Sequence, residues 1–416
     1  MKRTNLILIF MMVVTGRGYS QTLDEYFRSA AEKNPGLRAA YSRFEAALQQ
    51  VPQAGALPDP VVSFGYFISP AETRLGPQRA KFSLTQMFPW FGTLKACGEV
   101  AALQAEARYQ EFLNARDRLY YQVASAYYPL VEINRWKALE QENIRILRSY
   151  KNLAVMKLEN DAVPVTDVLR VDLMLNEANT RLHILNDREK PLLVTFNNLL
   201  GRESSEPVEV ADSLRAESLP VYTGKDSLLQ RNPVLAGLDM NIRAQRAGRE
   251  VARKKGLPGM GVGLDYVVVG QPAGMSSAEN GRDVVMPMIS VSIPLFRKKY
   301  RAAQREARLL EESFTRQKEN TFRELSSEYE QALFDLIQQF RLVQLYEEQI
   351  KTTRQSLSLL LAAYRNSGKE FEEVLRMQQK LLQYEKSLIS ALSAFHIAQA
   401  KIDYLTSETP LSHENE

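Results

Sequence analysis

One cysteine, Cys97, occurs in 416 residues, so no disulfide can form within the chain. The three histidines, His183, His396 and His413, are scattered at spacings that no zinc site uses. His183 and His396 fall on helical patterns and read as ordinary side chains. No Gly-rich loop that could cradle phosphate and no nucleophile elbow is found, so an enzyme reading, a hydrolase included, has no positive support. We read the chain as a non-enzyme without cofactor or metal. Past the N-terminal leader no segment reaches ~18 consecutive apolar residues, which excludes a transmembrane helix. Charge of one sign is scarce as well: 53 Lys and Arg against 49 Asp and Glu leave +4. The two signs are mixed along the chain, so the basic stripe of a nucleic-acid binder is missing. The cluster Arg249, Arg253, Lys254 and Lys255 reads as a solvated or interface face.

What is present begins with a leader. Lys2 and Arg3 precede an apolar run from Leu6 to Val14, and Gly18 and Ser20 are small residues before Gln21. This is the pattern of a signal peptide over 1–20, too short for a membrane span. No cysteine lies near the cut to carry a lipid anchor. Export without a helical anchor leaves periplasmic, secreted or outer-membrane fates.

The chain then says the same thing twice. Asn34-Pro35 returns as Asn232-Pro233, Leu57-Pro58 as Leu257-Pro258, Pro89 as Pro294, and Asp167-Val168-Leu169-Arg170 as Glu373-Val374-Leu375-Arg376. The markers recur at an offset of roughly 200 residues, too large for a solenoid unit, so we read two similar halves. The first is 21–201, with strands about 61–68 and 80–88 and a helical hairpin about 95–200. The second is 225–407, with strands about 261–269 and 286–295 and a hairpin about 297–406. An irregular connection, 202–224, lies between them, and 408–416 is a flexible tail.

Helices are expected over 22–32, with Thr22 and Glu25 as a capping box, and over 36–54, with Pro35 at its start. The period then becomes two. Val62, Phe64, Tyr66 and Ile68 alternate with Val61, Ser63, Gly65 and Phe67, and Phe82, Leu84, Gln86 and Phe88 with Lys81, Ser83, Thr85 and Met87, so each strand has one apolar and one mostly small or polar face. The second half repeats this with Val262, Leu264, Tyr266 and Val268, then Ile289, Val291, Ile293 and Leu295. Segments 69–79 and 270–284 read as exposed loops. Alternation fits a soluble sheet packed on helices and equally a membrane barrel. Four strands cannot close a pore, so a barrel requires several chains. Met286 and Met288 flank Pro287; a soft-metal site is conceivable, but a lipid- or core-facing role is favoured.

The long helices follow. Pro129 is the only proline between Lys95 and Asn160, and Arg297–Asn366 has neither Gly nor Pro. Each would span roughly 100 Å. Tyr300, Ala303, Ala307, Leu310 and Phe314, then Phe322, Leu325, Tyr329, Ala332, Leu336, Phe340 and Val343 form coiled-coil patterning with one phase shift. Partner helices at 165–200 and 370–406 complete two antiparallel hairpins. Their turns hold Val163-Pro164 and Ser367-Gly368. Pro129, whose counterpart is Asp335, predicts a kink near Tyr127.

This order of parts resembles the TolC-type outer membrane efflux proteins. Asn34-Pro35, Leu57-Pro58-Asp59-Pro60, Gln86-Met87-Phe88-Pro89-Trp90-Phe91-Gly92 and the Val-Leu segments at the hairpins carry the likeness, which spans about 22–407. The Phe-Pro-Trp stretch is most similar to the heavy-metal and multidrug branch. The resemblance implies a mainly α fold with a small β part. Each chain would add four strands to a trimeric twelve-stranded transmembrane β-barrel, and long helices to a coiled-coil α-helical barrel. It implies a homotrimer in outer-membrane lipid with a long periplasmic extension. Its partners would be a periplasmic adaptor (membrane fusion) protein and an inner-membrane pump of the resistance–nodulation–division type; no nucleic acid is involved. The function implied is passive conduction, opened at the periplasmic tip. The alternative is a soluble periplasmic coiled-coil adaptor or scaffold, which the matched strand pairs argue against.

The resemblance also distributes roles. It puts Val62, Phe64, Tyr66, Phe82, Leu84, Leu264, Ile289 and Val291 against lipid. It puts Lys81, Ser83, Thr85, Ser290 and Ser292 in the lumen, and makes Pro89, Gly92 and Pro294 strand-to-helix junctions. It places a gate at Asp167, Arg170, Glu373 and Arg376. Arg376 stands where the family's pattern has a second carboxylate, so we expect a Glu373–Arg376 latch between chains, against the plainer reading of an i,i+3 pair.

Overall fold

The computed structural model describes residues 23–211, 214–216, 218–219, 224–271, 281–367 and 371–409. The leader, the cap at Thr22, the tip residue Gly368 and the tail from 410 onward lie outside the described residues. The elements run α1 (Leu23–Lys33), α2 (Pro35–Gly55), β1 (Val61–Thr73), β2 (Gly76–Phe88), α3 (Thr93–Glu159), α4 (Val165–Leu199), α5 (Lys225–Gln230), α6 (Pro233–Lys255), β3 (Gly259–Val269), β4 (Val284–Ser292), α7 (Arg297–Ser367) and α8 (Phe371–Thr406). The chain divides into two compact units, one of 1–33, 121–220 and 334–400, the other of 34–120, 221–333 and 401–416.

The second of these carries the sheet. Its strands are antiparallel in the order β1-β2-β3-β4, so β1 and β4 are open edges. β1 and β2 meet in a tight turn, where loop 69–79 was expected. Ser69-Pro70 breaks the apolar alternation, but the ladder absorbs it in a register shift between Tyr66 and Ala71 and continues to Thr73. β4 stops at Ser292, short of the expected 295, because its partner there is Gly259, the first residue of β3. Pro287 lies within β4, which an edge strand tolerates.

Two helices of this unit start on the same device. The Asn34 side chain accepts from the Leu37 N–H, and that of Asn232 accepts from the Val234 N–H, both at 3.0 Å, each followed by Pro at the first helical position. Asn232 also donates to the Leu405 carbonyl, tying α6 to the end of α8. Near that end, burial pushes the Asp403 carboxyl up to about 7, and the charge of Glu408 adds to the rise.

The other unit is a helical bundle. On α7, Leu336, Val343, Ile350, Leu357 and Tyr364 are buried at seven-residue spacing. Val171, Ala178 and Leu185 repeat it on α4, and Val374 and Leu381 on α8. A strict heptad selects a left-handed supercoil. On α3 the series Ile133, Glu140, Leu147, Ala154 places a carboxylate in a core position. Glu140 is fully buried and is paired with Lys386 of α8. Around it Asn143 reaches Glu140 at 3.4 Å, and Gln378 links Asn143 at 3.5 Å to Tyr150 at 3.4 Å.

α1 docks in this unit through Tyr26, whose ring packs edge-on against Phe196. The Tyr26 hydroxyl donates to the Glu209 carbonyl and accepts from its N–H, while the Tyr127 hydroxyl accepts from the Ala211 N–H, so the connecting segment is clipped to the bundle. α3 runs uninterrupted past Pro129. Just before it, the Tyr128 ring stacks on His396 at 5.0 Å.

Removing one partner of a buried pair strands a charge. Glu140→Ala should therefore destabilise the protein by ~3–5 kcal/mol, whereas Glu140→Met with Lys386→Met should recover most of the loss; thermal melting of the three variants checks this. Asp403 has a distinct signature. A carboxyl whose folded pKa is raised costs nothing below its ordinary value near 4; the cost grows as pH rises and is complete above about 7. Asp403→Asn should raise stability at pH 8 by roughly 2–4 kcal/mol and leave it unchanged at pH 4. A gain independent of pH would show that packing, not charge, sets the effect.

Candidate functional site

Register assigns the faces of the sheet. Phe64 pairs with Phe82, whose other partner is Tyr266, and Val62, Leu84 and Leu264 align one step along, with Ile289 and Val291 on β4. These expected lipid-facing residues share one face and are exposed: Val62 is 72%, Tyr66 69% and Ile289 78% accessible. A soluble sheet does the reverse and buries its apolar face. Eight large apolar side chains left in water would forgo roughly 10–20 kcal/mol, as much as a domain's whole stability. This face must be covered by something apolar.

The opposite face carries Lys81, Ser83, Thr85, Ser290 and Ser292, the expected lumen set. It also carries Asp265, opposite Ser83, which that set omits although it lies in the same alternation. Asp265 is fully buried and paired with Lys81. Met286 and Met288 stand opposite Asp265 and Gly263, on this polar face and not on the apolar one. Their parity with Ser290 decides the matter, whereas Pro287 had obscured it. β3 supplies Gly259, Gly261 and Gly263 here. A Cβ on Gly261 would lie 2.3 Å from Ser290 Oγ and 2.5 Å from Met87 Sδ, so neighbouring side chains occupy the space that the glycine leaves.

The junctions follow from the same strands. Pro89 succeeds the last residue of β2, and Gly92 takes φ +75 to turn the chain into α3. The Gly92 carbonyl accepts from Lys254 Nζ at 3.1 Å. Pro294 falls two residues beyond β4 and three before α7.

The expected gate residues lie in the bundle unit. Val163 is buried, and Pro164 is the cap of α4 without a side-chain hydrogen bond. Ser367 ends α7. Asp167 is buried 3.5 Å from Arg170 Nη1, and burial raises its carboxyl pKa against the opposing pull of that guanidinium. Arg170 also reaches Glu372 of α8 at 3.0 Å, a cross-helix pair absent from the expected set. Glu373 and Arg376 pair with each other along α8. Residues three apart on a helix face each other, so the two also form the plainer i,i+3 pair within the chain. Behind these groups Tyr364 stacks on Phe371 at 4.5 Å, and burial pushes its phenol up to about 12, Asp167 adding to the shift.

Among the described residues, no three His, Cys, Asp or Glu side chains gather as metal ligands, and no helix is long and apolar enough to cross a membrane. Four antiparallel strands joined to long paired helices can present an apolar belt and a polar lining.

Comparison with known proteins agrees with this geometry. Residues 225–407 match the family model of outer membrane efflux proteins. No curated relative matches by sequence. A membrane protein from Pseudomonas aeruginosa shares the fold with a TM-score of 0.76 at 18% identity, over 92% of both chains. The outer membrane protein VceC from Vibrio cholerae gives 0.73 at 14%, over 92% of this chain and 95% of that one. The open state of the MtrE outer membrane channel of Neisseria gonorrhoeae gives 0.74 at 16%, over 92% and 88%. The second half of the chain therefore carries the sequence pattern of the outer membrane efflux protein family, and 92% of its length the fold of outer-membrane channels.

Proposed function

We propose that the chain is one third of an outer-membrane efflux duct that conducts passively from the periplasm to the exterior. The observation that carries the reading is the inverted sheet, apolar side uncovered and polar side paired. Both edges of that sheet are open, and a strand edge leaves its N–H and C=O groups unsatisfied, which hydrocarbon does not tolerate. Because β1 and β4 run antiparallel, β4 of one copy can pair with β1 of the next without breaking the alternation, and three copies give an even-numbered barrel. Val62, Phe64, Tyr66, Phe82, Leu84, Leu264, Ile289 and Val291 then meet lipid. Lys81, Ser83, Thr85, Ser290 and Ser292 line water, with Asp265 buried beneath Lys81, and charge and radius set selectivity there.

In this reading the two halves, 21–201 and 225–407, are duplicated units joined by the 202–224 connection. The helical hairpins extend into the periplasm and form the closed tip. An adaptor and an inner-membrane pump of the resistance–nodulation–division type open it, and the Phe88-Pro89-Trp90 stretch favours the heavy-metal or multidrug branch. The Arg170–Glu372 pair is the resting latch. Both side chains are largely exposed, so each copy contributes only ~0.2–1 kcal/mol, weak enough for a partner to release.

Cell fractionation and planar-bilayer recording test the proposal together. The full-length protein should sediment with outer membranes and migrate as a heat-sensitive trimer; a soluble monomer ends the reading. Arg170→Ala with Glu372→Ala should raise single-channel conductance several-fold. Glu373→Ala with Arg376→Ala should leave it unchanged if that pair serves only its own helix, and raise it if the pair also reaches a neighbouring chain.

A further inference from the structure

Where sheet gives way to helix, the sheet-bearing unit presents a second surface. Trp90 and Phe91 follow β2, and Leu295 and Phe296 follow β4; all are exposed, Phe91 by 79% and Phe296 by 81%. Directly beside this apolar rim stand basic side chains. Lys95 lies in the first turn of α3, Lys255 ends α6, and Arg297, Lys298 and Lys299 open α7. All five are exposed. Among the described residues, none of Lys95, Lys255, Arg297 and Lys298 has an acidic side chain within ion-pair distance.

Lys299 lies over the Tyr300 ring at 4.8 Å and leaves its charge uncompensated by any acid there. Glu250 of α6 is taken by Arg253 at 2.6 Å, and the exposed acids Asp59, before β1, and Glu99, in α3, form no ion pair with these cations. Positive charge in the first turn of α7 opposes the helix dipole, so these side chains are not there to stabilise the helix.

Exposed aromatic and apolar residues at the end of a membrane-facing sheet mark the depth of the lipid–water interface. Basic residues within a few ångströms of that level meet phosphate headgroups, and their attraction to anionic lipid is felt within a Debye length. We propose that Lys95, Lys255, Arg297, Lys298 and Lys299 form a collar that binds the headgroups of anionic phospholipids in the leaflet adjoining the helices, selecting them over zwitterionic lipid. This rests on the reading of the sheet as a membrane barrel. The apolar rim sets the depth, and the uncompensated cations choose the headgroup.

The test is reconstitution of the full-length protein into nanodiscs of phosphatidylcholine, and of phosphatidylcholine with phosphatidylglycerol, followed by measurement of the lipid retained on detergent extraction. At low salt, phosphatidylglycerol should be enriched on the order of tenfold over its bulk fraction. The enrichment should collapse in 0.5 M sodium chloride, a measurement on the unaltered protein that needs no variant. It should also fall to near unity in Lys255→Gln, Arg297→Gln, Lys298→Gln, Lys299→Gln, with entry into phosphatidylcholine discs unchanged. Equal retention of both lipids, or full enrichment in the variant, overturns the collar. Displacement of the lipid by millimolar glycerophosphate would overturn it as well, by showing a free-phosphate site. Failure of the unaltered protein to enter either disc overturns instead the barrel reading beneath it.

Discussion

The structure depends on a sheet that cannot be complete by itself. Four strands leave two edges with unpaired backbone groups, and one face leaves large apolar side chains in the open. Either deficit alone would be costly in water, and the proposed closure by identical strands within an apolar medium would meet both. The polar face obeys the same constraint from the other side. Neighbouring side chains crowd that face, so β3 meets them with glycine, and its acid, Asp265, is covered by Lys81, which pairs with it.

The helical bundle meets a different requirement. Its apolar heptads would allow its helices to slide by whole repeats, since one layer of Leu, Val and Ala resembles the next. Glu140 and Lys386, with Asn143, Gln378 and Tyr150 beside them, form a layer that fits in one register alone. Such a layer adds little net stability, because desolvation offsets the Coulomb gain. What it contributes is alignment, as a single polar core position does in a coiled coil.

How much of this could be read beforehand follows from which interactions leave a periodic trace. Alternation in β1–β4 sorts Phe64 and Phe82 from Lys81 and Ser83 without any tertiary knowledge, because the pleat forces it. The long helices were legible for the same reason, by spacing. Strand ends were not. Ser69-Pro70 reads as a loop, yet the ladder crosses it, and Ile293 reads as strand, yet β3 offers it no partner. Asp265 was visible as one residue of an alternating face, but its importance comes from Lys81 across the ladder, and no local pattern encodes that. Arg170 illustrates the same limit: its neighbour in sequence, Asp167, was anticipated, and its neighbour in space, Glu372, was not.

The charged pairs at the hairpin ends sort themselves by this distinction. Glu373 and Arg376 lie three apart on one helix, so their attraction survives any motion of α8 as a body and cannot by itself report an opening. Arg170 and Glu372 lie on different helices, and any separation of α4 from α8 must break them. Only the second pair couples helix position to energy, and at its exposure that energy is small. Behind it the buried Tyr364–Phe371 stack and Val374 hold the helices together by packing that a small pivot preserves. A hairpin end built this way is held weakly at its rim and strongly at its base. Under the proposed function, that is the arrangement in which a partner seated on the outer surface would release the rim without unfolding the hairpin beneath it.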